Sequence, residues 1–155
     1  MQLIKINPNT KTRSQIVIIV AIADTSKGTQ LGMSLFNLGF WVIQVNDGVE
    51  TLNAMRQPHD LLILSADLPG ISGLSLLDDV RHGAYGSNPY VPVIILFDDP
   101  DKNRVNQAAQ YGANAIITAG TTISQLEERV NACLFQPTNF IKSEKYFGPE
   151  RKSKN

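Results

Sequence analysis

One cysteine and two histidines in 155 residues leave few soft or imidazole ligands. Cys133 has no partner for an internal disulfide, which fits a reducing compartment. No Cys, Glu or second His stands in motif spacing around His59 or His82, so zinc and triad chemistry have no support. His59 reads as a loop residue, and His82 is placed to meet the last carbonyls of a helix. No P-loop pattern and no dinucleotide-binding glycine pattern occurs. The longest apolar run, IVIIVAIA from Ile16 to Ala23, falls far short of the roughly 20 residues needed to cross a bilayer. The opening MQLIKINPNTKTRS lacks the apolar core and small-residue cleavage site of a secretory signal. These absences predict one cytoplasmic domain with no membrane span and no cofactor.

Charge is also sparse, at 18% of residues against about 25% in typical domains. The net charge of zero hides an asymmetry. A basic N-terminal arm, residues 1–14, carries Lys5, Lys11 and Arg13 with no acids. A basic tail, residues 136–155, carries Lys142, Lys145, Arg151, Lys152 and Lys154 against Glu144 and Glu150. The body between them, residues 15–135, is correspondingly acidic. The arms read as solvated, flexible tails. The sharper alternative is docking on an acidic partner, on nucleic acid or a membrane, or on the body itself.

The body alternates between two kinds of segment. Five short apolar runs rich in β-branched residues span Gln15 to Ile22, Trp41 to Val45, Leu61 to Ser65, Val91 to Phe97 and Ala115 to Thr118. Several are apolar on both faces, as expected of parallel strands covered by helices on both sides. Trp41, in the second run, reads as core or edge packing. Between the runs lie helical signals. Ser26 to Leu38 sets Leu31, Leu35 and Leu38 on one face, with Gly39 as a stop. Gly28 and Gly32 weaken that helix by about 1 kcal/mol each relative to Ala, a loss tertiary packing must offset. Asp47 and Glu50 resemble a capping box, and Ser72 can cap a helix whose stripe is Leu74, Leu77 and Val80. Asp99 caps the fourth helix, with Pro100 in its first position and Gly112 at its end. Ser124 and Glu127 open the fifth, with Leu126, Val130 and Cys133 facing inward. Such alternation predicts a doubly wound α/β domain, a five-stranded parallel sheet flanked by five helices, with any chemistry at the carboxyl ends of the strands.

Within this frame the chain resembles the response-regulator receiver domain. The resemblance rests on Leu38-Gly39-Phe40 before the second strand, Asp47-Gly48 before the second helix and Leu68-Pro69-Gly70 after the third strand. Ser72-Gly73 and Gly112-Ala113 complete the series. It implies the flavodoxin-like strand order 2-1-3-4-5. It also implies an acidic pair that binds Mg²⁺, a phosphoacceptor aspartate ending the third strand, a Thr or Ser ending the fourth and a Lys ending the fifth. Matched residue by residue, the acidic pair falls on Ile22 and Ala23, the acceptor on Ser65, the hydroxyl on Phe97 and the lysine on Ala119. Ile116 stands where a Tyr or Phe often acts as a switch. The joint loss predicts a degenerate pocket and a phosphorylation-independent signalling adaptor rather than an enzyme. The alternative is an atypical regulator whose acceptor or metal ligand is the displaced Asp67, aided by Asp24.

The same resemblance points to the fourth helix, fifth strand and fifth helix as a face for a homodimer or a protein partner, such as a sensor kinase, another regulator or a downstream protein. Its candidate residues are Lys102, Arg104, Gln107 and Tyr111, with Ile116, Thr121 and Gln125. Nucleic acid is the weaker partner class. In the tail, Tyr146-Phe147-Gly148-Pro149-Glu150-Arg151 resembles a stretch that follows some single-domain regulators, which suggests a short docking motif.

Overall fold

The computed structural model describes residues 1–151, so Lys152 and Lys154 of the basic tail lie outside the described residues. In chain order the elements are β1 (Gln2–Ile4), β2 (Val17–Ala21), α1 (Thr25–Asn37), β3 (Trp41–Val45), α2 (Gly48–Met55), β4 (Leu61–Ser65) and α3 (Gly73–Arg81). They continue with β5 (Val93–Phe97), α4 (Lys102–Gln110), β6 (Ala115–Thr118), α5 (Ile123–Phe135), β7 (Phe140–Lys142) and β8 (Phe147–Pro149).

The five apolar runs form one parallel sheet in the order β3-β2-β4-β5-β6, which is the expected 2-1-3-4-5 arrangement. Its central strands are covered on both faces. In β2, Ile18 and Val20 join a core with Leu35 of α1 and Leu126 and Val130 of α5. The alternating residues Ile19 and Ala21 join the opposite core, with Leu77 and Val80 of α3 and Ala54 of α2. Each such Ile, Leu or Val side chain, fully removed from water, contributes about 1.5–3 kcal/mol, which explains why the two-faced runs become interior strands. Edge strand β3 differs: its Trp41 is 59% exposed, so it is edge surface rather than core.

Helix starts correct two expectations. Asp101, not Asp99, caps α4, its carboxylate accepting from Asn103 N at 2.8 Å. Thr122 with Gln125, rather than Ser124 with Glu127, forms the capping box of α5. In both cases several capping-type residues stand together, and the strand before decides which one meets the helix. Asp47 and Ser72 cap α2 and α3 as expected. His82 caps the end of α3, its Nδ1 2.7 Å from Asp78 O.

Neither arm is a free tail over its described residues. Lys11 Nζ lies 2.9 Å from Asp60 Oδ1, and Arg13 reaches Leu38 O at 2.8 Å and Glu127 Oε2 at 3.1 Å, with its guanidinium over the Phe40 ring. The two carboxylates that receive this arm, Asp60 and Glu127, belong to the body itself. The expectation of a flexible C-terminal tail is also corrected: β7 pairs antiparallel with both β1 and β8, joining the two ends of the chain in a second, three-stranded sheet. Phe140 is its anchor, 1% exposed, with Tyr90 and Phe147 packed edge-on at 5.5 and 5.6 Å. Three-residue strands carry too little periodicity to be read from sequence, and the partner of β1 lies more than a hundred residues away.

Beneath Phe140 sits a residue that sequence reasoning passed over. Arg81, at the end of α3, is 3% exposed and has its guanidinium 4.9 Å from the Phe140 ring centre. It donates to Gly112 O at 3.0 Å, Pro89 O at 2.9 Å, Val91 O at 2.7 Å and Asn114 Oδ1 at 2.7 Å. Burial pulls its pKa down to about 9, so it is charged at neutral pH, surrounded by carbonyl-type acceptors.

Candidate functional site

At the carboxyl edge of the parallel sheet, β4 ends in Ser65, buried at 5% exposure. The turn that follows is tightly built. Ala66 N donates to Leu96 O at 2.9 Å, Ile71 N to Pro69 O at 3.0 Å, and Gly73 N to Ala66 O at 3.1 Å. Gly70 takes a φ of +77°, where a side chain would strain the backbone. Gly48 N donates to Pro69 O at 2.9 Å, and a Cβ on Gly48 would fall 2.2 Å from Ile71 O. The Leu-Pro-Gly-Ile-Ser-Gly phrase therefore holds α2, β4 and α3 together, whatever residue ends the strand.

The other matched positions are set around it. Ile22, just after β2, is 3% exposed, and Phe97, the last residue of β5, is 1% exposed. Ala23 and Ala119 are exposed. Ile22 and Ala119 line a groove of about 630 Å³ between α1 and α5, with Leu31, Leu96, Ile117 and Leu126 among its apolar walls. At its mouth Lys27 Nζ stands 3.5 Å from Asp98 Oδ1.

The carboxylates nearby are each engaged locally. Asp24 caps α1, accepting from Lys27 N at 3.2 Å. Asp67 forms a two-pronged pair with Arg104 of α4, with Nη1 donating to Oδ2 at 3.0 Å and Nη2 to Oδ1. The same guanidinium lies over the Phe97 ring at 5.4 Å, and its hydrogen bonds to Asp67 push its pKa up. These residues do not fit a divalent magnesium site. Ile22 and Ala23 offer no side-chain oxygen, and Asp67 already has a cation. The Arg104–Asp67 pair, 37 residues apart in sequence, had no local signal.

The remaining candidates separate in role. Gln107 Nε2 donates to Tyr111 Oη at 3.0 Å, Thr121 Oγ1 accepts from Thr118 N, and the Gln125 side chain closes the α5 capping box. Lys102 is exposed and Ile116 half-buried on β6. The tail motif turns inward: Tyr146 Oη donates to Pro149 O at 2.7 Å, Glu150 N to Asn139 O at 2.8 Å, and Arg151 Nη2 to Ala109 O at 2.8 Å. Phe147 pairs with Lys142, and Gly148 and Pro149 are buried against the body.

A five-stranded doubly wound parallel sheet in this strand order defines a flavodoxin-like fold. The sequence model of the response regulator receiver domain matches residues 16–131, and the chain belongs to that family. It is 31% identical over 113 residues to a glycerol metabolism activator of Pseudomonas putida, covering 70% of this chain and 49% of the relative. It is 32% identical over 122 residues to a probable chemotaxis protein CheY of Rhizobium etli, covering 74% and 91%. The chain thus spans about half of the first relative and nearly all of the second. Among solved structures, a CheY-like receiver domain protein from Methanospirillum hungatei superposes with a TM-score of 0.70 at 19% identity, over 77% of this chain and 93% of that one. The receiver domain of the sensor histidine kinase PA1611 from Pseudomonas aeruginosa, with magnesium coordinated in its active-site cleft, gives 0.67 at 21%, over 75% and 94%. No described helix is long and apolar enough to cross a membrane.

Proposed function

We propose that this receiver domain works as a cytoplasmic protein-interaction module of two-component-type signalling and does so without phosphoryl transfer. The observation that carries the reading is Phe97. A fully buried aromatic ring ends β5 where the family resemblance expects a hydroxyl, and the Arg104 guanidinium covers its face. Ser65, Ile22 and Ala119 support the same reading, since none supplies the acidic or cationic group that acyl-phosphate chemistry draws on. A serine hydroxyl has a high pKa, and the matched positions Ile22, Ala23 and Ala119 offer no carboxylate to hold a metal or act as its base.

On this reading the partner is a protein, met through the α4–β6–α5 face. Lys102, Gln107 and Tyr111 offer the exposed or half-exposed polar contacts there, and Ile116 an apolar one. Homodimerisation through that face is one form the contact takes. The test is exposure of the full chain to acetyl phosphate with Mg²⁺, read by intact mass, and to beryllofluoride, read by chemical shifts. No mass gain and no shift changes around Ser65 and Asp67 are expected. A hydroxylamine- and alkali-labile adduct on Asp67 would establish the displaced-acceptor alternative instead. Light scattering and pull-down with Tyr111→Ala and Lys102→Ala then test the face.

A further inference from the structure

We propose that α4 is held from both ends by contacts within the chain, an arginine clasp at its start and a C-terminal strap at its finish, which together set the α4–β6–α5 face. The need for such restraints follows from the helix itself. Of the nine residues of α4, KNRVNQAAQ, only Ala108 is buried, with Val105 partly so. An element with so little apolar anchorage belongs to the low-stability end of a fold, where a few polar contacts decide its position.

The clasp is Arg104. Its two nitrogens grip the Asp67 carboxylate on the loop after β4, and its plane rests on the Phe97 ring at the end of β5. It thereby ties α4 to two strand ends by a permanent side chain. The strap is the hairpin of β7 and β8. Arg151 donates to Ala109 O at 2.8 Å, one of the last carbonyls of α4. One residue beyond Tyr111, Gly112 packs against the hairpin backbone: a Cβ on Gly112 would fall 2.8 Å from Phe147 O, and one on Gly148 would fall 2.7 Å from Gly112 Cα. Arg81 fixes the same turn by donating to Gly112 O at 3.0 Å. The C-terminal hairpin thus reaches α4, and a partner that lifted this strap would release the helix. This inference concerns the position of α4 and stands whether or not the pocket accepts a phosphoryl group.

Hydrogen–deuterium exchange of the full chain tests it, comparing wild type with Asp67→Asn, Gly148→Ala and the double variant, and using α1 as an internal reference. Asp67→Asn is expected to speed exchange across Lys102–Gln110 about three- to fivefold, the scale of one exposed but well-formed ion pair, and Gly148→Ala by at least as much, since its Cβ meets the backbone of Gly112. The double variant should reach about tenfold or more, with α1 unchanged. Exchange of α4 within about twofold of wild type in the double variant would overturn the proposal. So would a rise shared equally by α1, which is global loosening, or a response to only one of the two single changes.

Discussion

The carbonyl oxygen of Ser65 occupies the place where a side chain on Gly73 would have to stand. A Cβ built on that glycine falls 2.0 Å from the oxygen and 2.8 Å from its carbon. Gly73 opens α3, so the helix can begin directly against the end of β4 only because this residue has no side chain. The contact is with the backbone of Ser65 and not with its side chain, so Leu-Pro-Gly-Ile-Ser-Gly is required by packing whichever residue ends the strand.

Gly73→Ala is therefore expected to destabilise the fold by about 2–3 kcal/mol, the usual scale of overpacking against rigid backbone. Gly120→Ala provides the contrast, since nothing lies within 4 Å of a Cβ there. It should stay within about 0.5 kcal/mol of wild type. Urea denaturation of both variants checks this; equal losses at the two glycines would remove the Ser65 contact as the cause.

What was legible in the sequence follows from the range of the physics involved. The five parallel strands announced themselves because Ile18, Ile19 and Val20, or Leu62, Ile63 and Leu64, are buried consecutively on both faces. The residues at the strand ends could likewise be matched one by one from Gly39 and Pro69. The terminal sheet could not. β1 and β7 lie at opposite ends of the described chain, and neither strand exceeds three residues. Arg81 was hidden for the same reason: a basic residue in a helix's last turn is ordinary, and its four acceptors come from residues 8 to 33 positions away.

Asp60 links the N-terminal arm to the sheet and should make stability sensitive to acid. Burial tends to raise its pKa, but hydrogen bonds from Val17 N at 2.9 Å, Lys11 Nζ and Asn9 Nδ2 outweigh that and hold it below the usual carboxylate range. A carboxyl depressed in the folded state stabilises it fully above the unfolded value of about 3.9, and that contribution fades as pH falls through the lower folded value. Asp60→Asn should cost about 1–2 kcal/mol at pH 7 and progressively less below pH 4. Denaturant midpoints from pH 7 to 3 measure it; a pH-independent difference would sink the linkage.

Phe140→Ala should release the terminal sheet and expose Arg81 together. The ring is buried against Tyr90, Phe147 and the Arg81 guanidinium. Its loss is expected to cost about 3–4 kcal/mol. Phe140→Leu, which keeps most of the apolar volume, should lose less than half of that. Limited proteolysis would show cleavage beginning between Phe135 and Phe140 in the alanine variant, well before the parallel sheet unfolds. Simultaneous loss of both would mean that the two sheets form one cooperative unit.

Restoring an aspartate at the strand end separates chemistry from architecture. Ser65 is 5% exposed, and the matched positions that would supply metal ligands and a lysine hold Ile22, Ala23 and Ala119. A carboxylate introduced there is desolvated without compensation, so its pKa should rise above the unfolded value. Between those two values the folded state binds more protons than the unfolded one, and the variant regains stability as pH falls. Ser65→Asp should therefore be about 2–4 kcal/mol less stable than wild type at pH 7. Ser65→Asn, neutral and of equal size, should lose less, and the gap between the two variants should close towards pH 4. Incubation with acetyl phosphate and Mg²⁺ should leave the mass of Ser65→Asp unchanged. A stable Ser65→Asp protein that gains a phosphoryl group would mean that Phe97 and Ala119 do not close the pocket.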